Sequence, residues 1–323
     1  MIVFNRMREG AGSGAMDDSV LPALLHAAWT RWHSIRKEVY RYMGVSNTEE
    51  LIKCIINTDT FNVDERAKNR FAQVLREILL GWLDLKDVHR EFVRLNELGI
   101  RAIPFYSKEY PQELLRYESK TDYIYPPLVL YAKGAQIDVN ARAVISVVGT
   151  RKCTEWGRKT AYEVGRLVSS KGFTLATGLA EGIDIEAARG ALDVGGDVVG
   201  VRPWLHPLSL PPESSSVVSD FSEGIMIVAE NAIKPKAFTD KLYYLRNRII
   251  AGMAKLVIVV EARDEHDSGS MHQIELALRR NKHVAIFKHP LKGTAYYSAY
   301  EKYTARGAIS IESLDVLGAM LSF

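Results

Sequence analysis

Apolar positions recur at helical spacing through the first third of the chain. Leu24, Leu25, Ala28, Trp32, Ile35 and Val39 fall at roughly 3.6-residue intervals, which predicts an amphipathic helix over 21–43. Ser46-Asn47-Thr48-Glu49 offers N-cap chemistry for a short helix holding Leu51, Ile52, Ile55 and Ile56. Residues 64–83 and 86–98 read as two more helices, the second stopped by Gly99. No strand is expected between 15 and 98, so 19–99 is read as a small all-helical domain. The glycine-rich run Gly10-Ala11-Gly12-Ser13-Gly14 marks 1–18 as a flexible leader.

The texture then changes twice. Pro104, Pro111, Pro126 and Pro127 block long helices across 100–134, which reads as a connector packing on the next domain. From Ala143 short apolar runs alternate with helical stretches. Strands are expected at 144–148, 173–176, 197–201, 225–229, 256–261, 283–287 and 307–311. Helices are expected at 154–172, 182–194, 239–253, 270–281 and 313–321, and a loop at 203–212. Apolar strands alternating with helices predict an α/β fold, a doubly wound parallel sheet covered on both faces, over 135–323.

Composition narrows the function classes. The 323 residues are 47% hydrophobic, 25% charged and 9% aromatic, which fits a globular chain and not disorder or coiled coil. Apolar runs such as 256–260 are far below the ~20 residues of a membrane span, and no secretory signal is expected. Two cysteines, Cys54 and Cys153, make no disulfide framework and point to a reducing cytoplasm. The net charge of +3 decides little. Nucleic-acid binding would have to come from local clusters.

In doubly wound sheets ligands sit where strand ends meet helix N-termini. Three loops carry suitable chemistry: Gly149-Thr150-Arg151-Lys152, the stretch Thr177-Gly178-Leu179-Ala180-Glu181-Gly182-Ile183-Asp184, and Ser268-Gly269-Ser270. Any one fits ordinary turn chemistry; three on one sheet edge favour anion binding. The helix beyond them brings Lys241, Tyr243, Arg246, Asn247 and Arg248. Helical spacing puts Leu242, Leu245, Ile249 and Met253 on a buried stripe and Tyr243, Arg246 and Asn247 on a neighbouring face. Rings beside arginines suit single-stranded nucleic acid, the cations meeting phosphates and the rings stacking bases. A solvated basic face explains the same residues. No HExxH or CxxC spacing appears, so no metal site is expected. Lys152 beside Cys153 at a helix start is the one feature that would lower a thiol pKa.

Taken in order, the 177–184 loop, Arg246-Asn247-Arg248-Ile249-Ile250-Ala251-Gly252, Glu261 closing a strand and Ser268-Gly269-Ser270 resemble the DNA-processing protein A (DprA/Smf) family. Gly149-Thr150-Arg151 is similar to the family's G-S/T-R turn. The resemblance spans about 100–320. It implies an extended Rossmann-like domain that binds and protects single-stranded DNA without cofactor chemistry, loads a RecA-family recombinase, and acts as a homodimer. By the same resemblance Arg151, Arg246 and Arg248 would contact phosphate in one pocket. Tyr243 would stack a base with Lys241 beside it, and Ser268, Gly269 and Ser270 would cradle backbone phosphate. Glu181 departs from the family, which often has Arg there, and so does Ser270-Met271-His272-Gln273. Two rival readings share the fold class. One is a nucleotide-binding sensor; the other is a nucleotide phosphoribohydrolase with Glu275 as its acid/base.

Overall fold

The computed structural model describes residues 20–57, 62–81, 84–115, 126–208, 210–235, 241–264 and 269–322. The leader expected over 1–18 therefore lies outside the described residues, as does Ser268. The described chain divides into two units, 1–108 with 127–129, and 109–126 with 130–323. The stretch expected as one connector, 100–134, is thus shared between them.

The first unit is built on helices, and the single helix expected over 21–43 is two, parted at Arg31. It holds α1 (Val20–Thr30), α2 (Trp32–Met43), α3 (Thr48–Ile55), α4 (Glu65–Leu80) and α5 (Leu85–Glu97). Asn47 caps α3 by accepting from Glu50 N at 2.9 Å, and Asp64 caps α4 through two backbone amides. α1, α2 and α3 all pack on α4, burying Leu24, Leu25, Ile35, Leu51, Phe71 and Leu75. A further expectation, of no strand before residue 98, fails as well. A short antiparallel pair, β1 (Ile56–Asn57) and β2 (Asn62–Val63), interrupts the helices. Two-residue strands carry too little periodicity to be read from sequence. The unit also contains β3 (Arg101–Pro104).

The second unit begins with α6 (Gln112–Leu115) and β4 (Val129–Gly134), most of which lies in it. Then come β5 (Val144–Val148), α7 (Glu155–Ser170), β6 (Thr174–Thr177), α8 (Ile183–Leu192), β7 (Val198–His206), α9 (Pro212–Asp220) and β8 (Ile225–Ile233). The chain continues through α10 (Lys241–Met253), β9 (Leu256–Val259), α11 (Gly269–Leu278), β10 (His283–Phe287), α12 (Ala295–Thr304), β11 (Ile309–Ile311) and α13 (Leu314–Met320). Its strands lie in the order β11-β10-β9-β5-β6-β7-β8-β4, all parallel except β4 against β8. The fold is the expected Rossmann-like α/β sheet.

The order reverses between β5 and β9. Strands β6 to β8 run outward on one side of β5, and the chain returns through α10 to start β9 on the other. Such a reversal opens a crevice at the carboxyl ends of the two strands.

The loop expected over 203–212 is partly strand. β7 runs on to His206, with Arg202, Trp204 and His206 paired to Ala229, Asn231 and Ile233 of β8. Pro203 interrupts no ladder on its other side, because β6 ends at Thr177. Helices α9 and α12 were also absent from the sequence reading; α9 carries a weak apolar pattern with only Ser214 and Val217 buried.

Close packing of α7 on α8 fixes the layer above β5 and β6. A Cβ added at Gly165 would fall on the Ala187 carbonyl, and one at Gly190 on the Tyr162 carbonyl. A helical Gly→Ala change normally gains about 1 kcal/mol. Here the obstacle is backbone, so Gly165→Ala should instead lose about 1–3 kcal/mol through overpacking. A urea midpoint that rises in G165A would refute this packing.

Candidate nucleic-acid interface

The crevice is lined from three strand ends and one helix. Arg151 and Lys152 follow β5 and are exposed. Gly178 follows β6 and is buried. Arg202 belongs to β7, and Tyr243, Arg246, Asn247 and Arg248 to α10.

Helix α10 is not a surface helix with one buried stripe. Every residue from Arg246 to Met253 is buried, while Leu245, expected inside, is 43% exposed. The reason is topological: α10 packs against β7, α6 and α11 at once, so its second half has no solvent face.

Arg246 is 7% exposed. Its Nη1 donates to the Val201 carbonyl at 3.3 Å, and its guanidinium fills the space a Gly178 side chain would need. Burial lowers its pKa to about 10, and the Asp184 carboxylate acts to raise it; the group stays charged at neutral pH. Arg202, also buried, donates Nη1 to the carbonyls of Gly178 at 3.1 Å and Leu179 at 3.4 Å. The Arg151 charge opposes those of both Arg202 and Arg246. Three arginines therefore share one electrostatic neighbourhood. Asp184 acts on the two buried ones.

Aromatic rings border the cations. Arg202 lies over the half-buried Tyr243 ring at 5.7 Å. Trp204 meets the same ring edge-on at 6.0 Å, and Lys234 lies over Trp204 at 5.4 Å. Lys241 is exposed at the start of α10.

The glycine loop plays a different part from the one expected. Its amides are turned inward: Gly178 N donates to Asp184 Oδ2 at 3.1 Å, and Gly149 and Ala180 amides also serve that carboxylate. They organise the loop around a buried aspartate and are not offered to a ligand.

Arg248 stands apart from Arg246, contrary to the shared pocket implied by the resemblance. Positions two apart on a helix diverge by about 200° (two steps of 100°). Arg248 Nη2 pairs with Glu230 Oε1 at 2.6 Å and Nη1 donates to Leu245 O at 3.0 Å. The pair's charges act on the fully buried Tyr110. Asn247 Nδ2 donates to Gly269 O at 3.2 Å, tying α10 to the start of α11. Gly269 is exposed there and Ser270 buried. Thr150 Oγ1 accepts from Lys152 N at 3.2 Å, and Gly149 is packed against Ile183. Burial pushes the half-buried Cys153 thiol up, not down.

Arg202, Trp204 and Glu230 were missed from sequence. Pro203 made Arg202-Pro203-Trp204 look like loop, which hid a cation and a ring that extend β7. Glu275, the carboxylate of the hydrolase reading, is gripped by both Nη atoms of Arg306, one at 2.9 Å, and accepts from Tyr303 Oη at 3.4 Å. The Arg306 hydrogen bonds hold it below the usual carboxylate range, which suits an ionised clamp and not a proton donor. Among the described residues no group of histidines, cysteines and carboxylates could hold a metal, and no helix is long and apolar enough to cross a membrane.

The chain is a Rossmann-like α/β protein with arginines and a tyrosine gathered at the carboxyl ends of its parallel strands. The chain belongs to the DNA recombination-mediator protein A family, whose model matches residues 101–321. It is 30% identical over 196 residues to the DNA processing protein DprA of Bacillus subtilis, covering 60% of this chain and 63% of that protein. It is 29% identical over 217 residues to protein Smf of Escherichia coli, covering 64% and 53%. The chain thus spans roughly half to two thirds of these relatives' length. Among solved structures, DprA of Streptococcus pneumoniae superposes with a TM-score of 0.64 at 21% identity over 88% of this chain and 97% of that one. DNA processing protein A of Helicobacter pylori, from a structural study of its single-stranded DNA binding mode, superposes at 0.56 with 19% identity over 69% and 95%. The family is named for mediating DNA recombination.

Two outcomes are expected from this geometry. Arg248→Ala leaves Glu230 without its partner, so it should cost about 3 kcal/mol of stability in a denaturant melt, while ligand affinity per folded molecule stays unchanged. Burial raises the Asp184 carboxyl above its ordinary 3.8. The native state therefore holds that proton more tightly than the unfolded chain. Its contribution is complete below the unfolded value and declines as pH rises through the native one. Melts at stepped pH should show the advantage of the wild type over D184N shrinking as pH climbs; an advantage that grows would reverse the assignment.

Proposed function

We propose that this chain binds single-stranded DNA at the crevice between β5, β6, β7 and α10, protects it, and presents it to a RecA-family recombinase. The observation that carries the reading is the meeting of Arg151, Arg202 and Arg246 beside the half-buried Tyr243 ring. Cations in that number attract a polyanion, and a ring held between Arg202 and Trp204 is preorganised to meet a base. Arg151 is the exposed member and makes the phosphate contact. Arg202 and Arg246, from within, set the positive potential of the crevice. Exposed Lys152 and Lys241 extend that potential along the strand's path.

Family membership supports a role in DNA recombination, and the Helicobacter pylori relative supports the single-stranded form of the ligand. A mediator delivers its DNA to another protein, which makes a recombinase the natural recipient. A homodimer fits the sheet edge at β11, where Ile309 is left 42% exposed.

Fluorescence anisotropy with labelled single-stranded and duplex oligonucleotides, across a salt series and with mononucleotide competitors, tests the reading. Single strands should bind in preference, with Arg151→Ala lowering the magnitude of the salt slope by about 0.7. Tyr243→Ala should weaken binding by about 1–3 kcal/mol and Tyr243→Phe hardly at all. A mononucleotide held tightly while oligonucleotides are ignored would favour the sensor reading instead.

A further inference from the structure

The loop joining β5 to α7 sends Arg151 and Lys152 into solvent, yet its backbone is held at both ends by one distant residue. Thr150 N donates to the main-chain carbonyl of Glu261 at 2.8 Å. Thr154 N donates to Glu261 Oε2, also at 2.8 Å. Glu261 follows β9, the neighbour of β5 across the point where strand order reverses, so its carbonyl and its carboxylate bracket the turn between them.

The carboxylate is itself fixed. Its side chain has 0% exposure and that of His289 2%, with His289 Nε2 at 2.9 Å from Glu261 Oε1. His289 Nδ1 accepts from Leu291 N at 3.2 Å. That bond leaves Nδ1 without a hydrogen, so the ring proton sits on Nε2 and points at Glu261. Trp156 packs edge-on against the imidazole and Tyr296 lies tilted against it, both at 4.9 Å. Tyr296 Oη then donates to the carbonyl of Lys152 at 3.0 Å. The contacts run from Glu261 through His289 and Tyr296 back to the loop. On its other flank Ile183 N donates to Thr150 O at 3.3 Å.

We propose that Glu261 is the positioning residue for the phosphate contact of Arg151. It acts by gripping Thr150 and Thr154, and His289 holds its carboxylate in place. This rests on the assignment of Arg151 as a DNA contact. A residue that never meets DNA thereby sets the position of one that does, and the requirement is chemical. Both Glu261 oxygens accept, from Thr154 N–H and from His289 Nε2–H. A glutamine offers one acceptor and one donor, so one of those hydrogens must face an NH2 group.

The test is a double-mutant cycle on oligonucleotide affinity, with salt slopes for each protein and thermal melts to establish folding. Arg151→Ala, Glu261→Gln and the pair R151A/E261Q are compared with the wild type. E261Q should weaken binding by roughly tenfold, as expected for a charge-assisted contact. It should reduce the salt slope as R151A does, by about 0.7, and add nothing further in the R151A background.

Gly157→Ala is the second variant. An added Cβ there falls on the Glu261 carboxylate, so G157A pushes the carboxylate off its two partners without changing its chemistry, and the thermal melt reports whether the fold holds. It should reproduce the E261Q phenotype, and it carries the test alone should E261Q fail to fold. Effects of E261Q or G157A that multiply with R151A, or affinities and slopes left at wild-type values, overturn the positioning role while Arg151 keeps its own. An R151A protein that binds like the wild type overturns the phosphate contact itself, and the positioning role falls with it.

Discussion

A guanidinium taken out of water is tolerated only where other groups replace its hydration. Arg246 meets that constraint in part at the centre of the crevice, its Nε lying buried without a hydrogen-bond partner, and much of the local architecture serves the rest of the group. The Val201 carbonyl accepts from it, Asp184 balances part of its charge, and the missing side chain of Gly178 gives it room. The loop after β6 must therefore bend sharply at that point. Leu179, next in line, adopts a left-handed φ of 49° although it is not glycine. Such backbone costs about 1–3 kcal/mol and persists because Leu179 is fully buried against Gly200 and its carbonyl, with that of Gly178, is held by Arg202.

The consequence is a cluster of cations in two layers. Arg202 and Arg246 lie beneath, immobilised by carbonyls, and supply potential. Arg151, Lys152 and Lys241 lie outside, exposed, and can meet a polyanion. The inner layer forfeits hydration once, during folding, and its charges are held already oriented. The Tyr243 ring sits between the layers, held by Arg202 on its face and Trp204 at its edge.

The short run Arg246-Asn247-Arg248 shows how one motif divides its labour. Arg246 enters the crevice, Asn247 tethers the start of α11, and Arg248 closes an ion pair with Glu230 beside Tyr110. Three consecutive helical residues point in three directions, and all three are buried because α10 is surrounded. Glu261 has a comparable double duty, its carbonyl and carboxylate serving opposite ends of one turn.

The sequence by itself determined the α/β class, the alternation of strands and helices from Val144 onward, the helix starts at Asn47 and Thr154, and the loops that would meet at one sheet edge. These depend on local periodicity and on capping chemistry within a few residues. It also picked out the cations and the ring grouped on α10, without their orientation. Burial of Arg246 and Arg248 was not legible, because polar side chains at helical spacing look alike whether the helix lies on the surface or is packed on three sides. The strand role of Arg202 and Trp204 was hidden behind Pro203, whose missing amide is harmless only because β6 stops short of it. Glu261 was visible only as the end of a strand. Its carboxylate reaches Thr154 across 107 positions of sequence, and no local pattern encodes a partner at that distance. Tertiary structure decided which cations face outward, which are spent on carboxylates, and what holds the loop between them.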